Sequence, residues 1–365
     1  MKPRRILHVV GAMDRAGAET MIMNLYREID RTLYQFDFLC FGYGPNDYDD
    51  EILELGGDII YIKSTNPITR FLQTLSILRR GRWGIVHSHT LFSSGLHLLA
   101  AKLVGVRSRI VHSHSTSSKL KPSFADKIYR STMSALLKRV PTHYISCGEA
   151  AARHLFGPRD DVIILPNAID IDRFTTACIP QEPDNPIRGE PDLIILQVGR
   201  MMEVKNHKFS IMIANSLKEL GVSFNMIFVG DGPCRTELEK AIANYGLNTF
   251  VTITGLRKDI PELMAMADVM LMPSLYEGFP VVLVESQAAG LPAVISNTIS
   301  NEVDLGIGLV DFLHLTGSSE EWAQRVIDCA NRKIMPEKKR REVIDAKGFS
   351  AQRSAAIVTN FYENL

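Results

Sequence analysis

The chain has 365 residues, more than one hydrophobic core ordinarily supports, so two domains of ordinary size are expected. A composition of 45% hydrophobic and 22% charged residues is that of a soluble globular protein, and forty-one basic against forty-one acidic side chains leave no net field to gather nucleic acid. The five cysteines (40, 147, 178, 234 and 329) are odd in number, scattered and without C-x-x-C spacing, which argues for a reducing compartment and against a disulfide framework or a zinc site. The opening MKPRRILHVV has too short an apolar run for a signal peptide, and no run of about twenty apolar residues occurs. The expectation is a cytoplasmic protein.

In chain order, Ile6 to Val10 is an apolar run, followed by GAMDRAGAE and by TMIMNLYREI at helical spacing: strand, glycine-bearing loop, helix. The unit recurs. Strands are predicted at Phe36–Phe41, Ile59–Ile62, Ile85–His87, Ile110–His112, Tyr144–Cys147 and Val162–Leu165, with helices at Gly95–Leu103 and Glu149–Phe156. Thr175 to Asp192 carries four prolines and reads as a linker. A second series follows, with strands at Leu193–Val198, Phe224–Val229, Val251–Thr254, Val269–Met272 and Ala293–Ser296. Its helices are His207–Leu220, Arg235–Tyr245, Ile260–Ala267 and Val281–Ala289. A charged patch, Glu337 to Glu342, closes this series, and Phe349 to Leu365 is a last amphipathic helix. Strands alternating with helices predict α/β architecture, two doubly wound parallel-sheet domains over 1–175 and 193–348, joined by a linker at 176–192. Ligands of such sheets sit beyond the carboxyl ends of the strands.

Leu271 to Pro292, LMPSLYEGFPVVLVESQAAGLP, holds two glutamates with seven residues between them, Glu277 and Glu285. Pro280 suits a first helical turn, and Gly290-Leu291-Pro292 ends the helix. Glu277 then sits in the loop after a strand and Glu285 just over one turn into a helix whose start offers unpaired N–H groups. A loop carboxylate can address a reacting group; a carboxylate on a rigid helix can accept two hydrogen bonds from a diol such as ribose. Any single glutamate is more often a solvated surface residue, and it is the whole string that points to function. SLYEGFPVVLVESQAAGLP resembles the E-x7-E signature of retaining glycosyltransferases of the family 4 type, with Pro273, Ser274, Glu277, Gly278, Glu285, Gly290 and Pro292 all in place.

That resemblance implies the GT-B fold: two Rossmann-like domains facing a central cleft, the first binding acceptor and the second donor, with the 349–365 helix crossing back to the first. It implies transfer of a hexose from a nucleotide sugar, a UDP-sugar favoured, with retained anomeric configuration, no cofactor and no metal. VGRMMEVKNH is similar to the family's G-R-x-x-x-x-K-N segment, so Arg200 and Lys205 are expected to hold the diphosphate, whose charge grows as the glycosidic bond breaks. Glu277 would engage the sugar with the backbone N–H groups around Gly278 and Phe279, and Glu285 the ribose. GDGP places Gly230 beside the donor, where glycine allows close backbone approach; Leu256 and Arg257 fall in the segment whose backbone meets the nucleobase. RAGAE has Ala16 where the family commonly shows a first glycine, which leaves Gly17 as the contact.

Histidines are paired in VHSHT (His87, His89) and VHSHS (His112, His114). Spacing of two on a strand puts both side chains of a pair on one face, yet no carboxylate or cysteine joins them, and no metal is expected. The resemblance gives His114 a sugar or acceptor contact, with His112 as runner-up and His87 and His89 as packing residues. In PNAIDIDRF, Asn167 and Asp170 are read as structural. The basic amphipathic stretch 118–139 suits either a solvated helix or contact with an anionic membrane face. Expected partners are therefore a nucleotide-sugar donor and a saccharide or polyprenyl-linked acceptor, with peripheral membrane contact through 118–139 and no nucleic acid. An epimerase on the same fold, or a silent nucleotide-sugar-binding subunit, are the alternatives.

Overall fold

The computed structural model describes residues 2–81, 83–114, 123–177 and 186–365. They form two compact units, each built on one parallel sheet; the first comprises the chain to Ile169 together with Gly348–Leu365, and the second Asp170–Lys347.

The first unit runs β1 (Arg4–Val9), α1 (Gly17–Glu28), β2 (Tyr34–Phe41), α2 (Asp49–Glu54), β3 (Ile59–Ile62), α3 (Pro67–Gly81), β4 (Ile85–Ser88), α4 (Ser94–Leu103), β5 (Ser108–Ser113), α5 (Phe124–Leu137), β6 (His143–Ser146), α6 (Glu149–Phe156) and β7 (Val162–Ile164). Its seven strands lie in the order β3-β2-β1-β4-β5-β6-β7. Helices cover both faces, so the central strands are buried throughout: Ile6, Phe36, Phe38, Ile85 and Ile110 pack on one side, Leu7, Val9, Leu39, Val86 and Val111 on the other. α5 starts at a capping box, Ser123 accepting from the Asp126 N–H while Asp126 accepts from the Ser123 N–H.

The second unit runs α7 (Ile171–Thr175), β8 (Leu193–Val198), α8 (His207–Glu219), β9 (Phe224–Val229), α9 (Arg235–Asn244), β10 (Val251–Gly255), α10 (Ile260–Met266), β11 (Val269–Met272), α11 (Val281–Ala289), β12 (Ala293–Ser296), β13 (Val310–Leu313), α12 (Ser319–Ala330) and α13 (Glu337–Ala346). Its sheet order is β10-β9-β8-β11-β12-β13, with Trp322 of α12 fully buried in the core and its indole N–H donating to the His314 carbonyl at 3.1 Å.

α14 (Ala351–Glu363) packs on α1 in the first unit. Ser350 caps it, and Ala355, Val358 and Tyr362 form its buried stripe at helical spacing. Burying the Tyr362 ring contributes roughly 2–3 kcal/mol, and its hydroxyl meets His87 Nδ1 at 2.8 Å.

Several predicted elements, Val269–Met272 and Val281–Ala289 among them, coincide with the observed ones to the residue. The first boundary moves from 175 to Ile169, because α7 packs against α10 and α11 of the second unit. α2, α3, α7, β13, α12 and α13 have no counterpart among the predicted elements. Of the predicted linker, residues 178–185 lie outside the described residues.

Candidate functional site

In both sheets the strand order reverses once, at β1/β4 in the first unit and at β8/β11 in the second, and ligand crevices of open parallel sheets form at such reversals. In the second unit the loops leaving β8 and β11 are sewn together there. The Leu275 N–H donates to the Val204 carbonyl at 2.8 Å, and Asn206 Nδ2 to the Pro273 carbonyl at 3.0 Å. Asn206 sits in the left-handed region (φ 55°), which lets one residue end a short 3-10 turn over Glu203–Lys205 and start α8. Behind them buried Gln197 donates to the Lys205 carbonyl at 3.0 Å and accepts from Ser210 Oγ at 2.6 Å.

That scaffold brings Lys205 and Glu277 together: Lys205 Nζ stands 2.7 Å from Glu277 Oε1, which also accepts from Ser274 Oγ at 2.7 Å. Ser274 is fully buried, its carbonyl held by Ser296 Oγ at 2.5 Å and Thr298 Oγ1 at 2.8 Å. The Lys205 stem crosses Gly199, whose missing Cβ would lie 3.3 Å from Lys205 Cε. An ammonium has three donors; one holds Glu277, leaving two for an anion. Arg200 projects exposed from the same loop, with no side-chain partner among the described residues. Gly278 and Phe279 follow Glu277, half-buried, ahead of α11.

Gly230 and Gly232 are where backbone meets backbone. A Cβ on Gly230 (φ +134°) would fall 2.3 Å from the Gly199 carbonyl oxygen, and one on Gly232 2.4 Å from that of Met201. The loops after β8, β9 and β10 thereby close on each other through Met201 N–H to Asp231 O (2.9 Å) and Gly230 N–H to Gly255 O (2.8 Å). Leu256 is exposed beside them. Arg257 turns its guanidinium to Asp259, with Nε 2.7 Å from Oδ1, so a ligand at this segment meets backbone and the Leu256 side chain first.

Glu285 occupies the fifth position of α11, half-buried. Burial pushes its carboxyl up to about 7, opposed by the charge of Arg173 on α7. A raised value in the folded chain means the protonated form is favoured there. The stability this group contributes is thus present below its ordinary carboxyl range and lost as pH climbs toward 7. Hydroxyls donating to the ionised form reverse that preference. If a ligand's hydroxyls meet Glu285, as the sequence reading expects of a ribose diol, its affinity rises between about pH 6 and pH 8 in wild type and is flat in Glu285→Gln. Titration calorimetry across that range checks it.

In the first unit Gly17 opens α1, exposed, with open space where a Cβ would be. Glu19, one turn in, was not singled out by the sequence: burial first, and then Asp14, raises its carboxyl to about 7. Strand register assembles the histidines. His8 on β1 pairs with His87 on β4, and His87, His89, His112 and His114 join it as one stacked patch at the strands' carboxyl ends. A chain runs through it: His8 Nδ1 to His89 Nε2 at 3.0 Å, His89 Nδ1 to His114 Nε2 at 2.8 Å, and His114 Nδ1 to Asn167 Oδ1 at 3.2 Å. Burial lowers them all, His8 to about 3 and His114 to about 4, so they are neutral at pH 7. His112 is wholly buried, which removes it as a sugar contact; His114 is partly exposed. Asp170 caps α7, and Asn167 orients His114.

The chain's second half, 180–347, matches the family described as Glycosyl transferases group 1, and 15–173 matches Glycosyltransferase Family 4. EpsF of Bacillus subtilis (strain 168), a glycosyltransferase by name, is 40% identical over 98% of this chain and 96% of its own. The chain belongs to the GT-B glycosyltransferases of the family 4 type. Among other members, the Escherichia coli UDP-Gal:alpha-D-GlcNAc-diphosphoundecaprenol alpha-1,3-galactosyltransferase is 24% identical over 99% and 97% of the two chains. In fold, Anabaena HepE, solved in complex with UDP, superposes with a TM-score of 0.75 at 18% identity over the whole of both chains.

Within this glycosyltransferase the structure gives roles to groups that the sequence left without one. Asn206, Ser274, Ser296 and Thr298 act as positioners of Lys205 and Glu277, and Leu275, Tyr276 and Met202 are exposed apolar side chains on the same two loops. KNH and the PS before the first glutamate were visible, but bonds between loops seventy residues apart have no local pattern. A hollow of about 620 Å³ lined by Arg4, Arg79, Trp83 and Leu365 lies at the amino ends of the first sheet's strands, away from every motif.

Proposed function

We propose that the protein transfers a hexose from a nucleotide-diphosphate sugar, UDP-linked, to a saccharide or polyprenyl-linked saccharide in cell-surface exopolysaccharide assembly, with retention of configuration and without a metal. One observation carries this reading: the Lys205–Glu277–Ser274 cluster at the strand-order reversal, one helix start away from Glu285. HepE has been crystallised with UDP and with UDP-glucose, and the E. coli relative is named for a UDP-galactose donor and a lipid-diphosphate acceptor, which supports the donor and acceptor classes.

In this reading the C1–O bond to the diphosphate breaks with its electron pair going to the phosphate oxygen. Lys205 and Arg200 neutralise charge that is larger in the transition state than in the bound donor. Glu277, pinned through Oε1, offers Oε2 to a sugar hydroxyl, and the N–H groups at Gly278 and Phe279 take further donor oxygens. Glu285 accepts from the ribose diol, and His114 hydrogen-bonds sugar or acceptor. The acceptor hydroxyl attacks C1 from the face the phosphate leaves and passes its proton to a phosphate oxygen. Early-time proton NMR of the product's anomeric coupling, in chelator with a UDP-α-sugar, tests this. The expected product is α-linked; a β-linked product, or dependence on added metal, overturns the mechanism.

No helix among the described residues is long and apolar enough to cross a membrane. Surface contact is supported by α3 and α5, which expose Ile68 (71%), Leu72, Phe124 (79%), Ile128 and Tyr129, with Lys127, Lys138 and Arg139 in and just after α5. Ser118, Lys119 and Lys121 of the sequence stretch lie outside the described residues. Cosedimentation with vesicles rich in anionic lipid is expected, reduced about tenfold by Phe124→Ser with Ile128→Ser and by high salt.

A further inference from the structure

The histidine patch of the first unit holds more imidazole than a sugar contact needs. Five rings, from β1, β4, β5 and the loops after them, stack on one face of the sheet, with ring centroids 3.9 Å apart for His112 and His114 and 4.3 Å for His87 and His89. Their ring nitrogens are not all satisfied. Among the described residues His112, at 0% exposure, has a partner at neither nitrogen, and the Nε2 atoms of His8 and His87 have none. Unpaired buried acceptors are costly, roughly 1–3 kcal/mol each, and rare in native structures.

We propose that His89, His112 and His114 bind a transition-metal ion of the zinc and cobalt class, with His8 and Asn167 orienting two of the three ligands. One ring nitrogen from each of the three lies within 4.8 Å of the others. One ligand already has the tautomer a metal requires, and a proton shift within the patch gives it to a second. Asn167 Oδ1 only accepts, so His114 carries its proton on Nδ1 and presents Nε2 as a lone pair. His89 now donates from Nδ1 to that lone pair. Moving its proton to Nε2 frees Nδ1 for the ion and makes His89 a donor to His8 Nδ1, 3.0 Å away. His8 in turn moves its proton to Nε2, and no proton leaves the patch. Each of these two ligands then donates its second N–H to a buried partner, the arrangement that fixes metal-binding histidines. His112 supplies the third nitrogen from the buried side, while His89 and His114 are partly exposed, so an ion can enter and keep open coordination positions. An all-imidazole set selects zinc, cobalt, nickel and copper over magnesium and calcium. The ion is not assigned to the transfer chemistry; where His114 contacts sugar, a reading that rests on the proposed function, the ion competes with it.

The test uses tag-free full-length protein and Co²⁺ as probe, followed by visible d–d bands and displacement by Zn²⁺. One ion per chain is expected, with bands of nitrogen and oxygen coordination and no thiolate charge-transfer band. His112→Gln and His89→Gln should each weaken binding about a hundredfold and His8→Gln about tenfold, while His143→Gln and His314→Gln leave it unchanged. No retained ion in wild type, a thiolate band, or binding that survives both His89→Gln and His114→Gln (partly exposed positions that do not open the core) overturns the site. Inhibition of donor cleavage by one equivalent of Zn²⁺ is read separately: an ion that binds without inhibiting supports the site and removes His114 from the sugar.

Discussion

Lys205→Ala is expected to lower kcat/KM for the donor about a thousandfold while shifting the thermal midpoint by less than about 3 °C. The two effects separate because the ammonium does different work in each state. In the free protein it makes a half-buried ion pair with Glu277 at 2.7 Å, and such pairs contribute about 1 kcal/mol or less once desolvation is counted. On the function proposed above it faces a diphosphate whose charge grows in the transition state, where one fixed donor is worth roughly a hundred- to a thousandfold in rate. Lys205→Arg keeps the charge but not the compact geometry beside Gly199, and recovers only part of the loss. Glu277→Ala is also expected to be slow, and the double variant no slower than about the Lys205→Ala single, since each holds the other in place. Steady-state kinetics and thermal denaturation on wild type and these four variants check this.

The second large effect is on stability. Gly230→Ala should cost at least about 3 kcal/mol, or roughly 6–12 °C in midpoint. The added Cβ would stand 2.3 Å from the Gly199 carbonyl oxygen and 2.9 Å from its carbon, both backbone atoms that no rotamer change can move, and φ is +134°. The β8 and β9 loops must separate to admit it, carrying Arg200 and Lys205 with them, so activity falls with stability. Gly17→Ala is the contrast: nothing lies within 4 Å of its missing Cβ, and alanine suits the first turn of α1. Its midpoint should move by no more than about 2 °C, so any loss of transfer there reports contact with substrate rather than folding. Differential scanning calorimetry of both variants decides it.

How much of this was legible follows from how local each signal is. β11 is a continuous apolar run, and α11 is bounded by Pro280 and Gly290, so their limits could be read residue by residue. Lys205 and Glu277 stood out through the strings that carry them, but their ion pair depends on β8 lying beside β11, a pairing that spans the β9 and β10 units. Asp170 read correctly as structural because capping is a three-residue matter. The histidines show the limit most clearly. Spacing of two places each pair on one face, yet only the β1–β4–β5 register brings both pairs to His8, and nothing local marks His8. α12 and β13 have no counterpart among the predicted elements, although Trp322, Val326 and Cys329 give α12 a buried stripe at helical spacing. Glu19 and Glu285 owe their raised values to burial, which a sequence does not state.

In the function proposed above, the second unit binds a nucleotide-sugar donor through Lys205, Glu277 and Glu285. Thermal-shift and hydrolysis measurements across a panel of nucleotide sugars, in chelator, on wild type and Glu285→Ala test it most directly. A UDP-sugar that raises the wild-type midpoint, is slowly cleaved to UDP and free hexose, and loses most of both effects in Glu285→Ala is the predicted result. A protein that responds to no donor, or one that responds equally in wild type and Glu285→Ala, contradicts it.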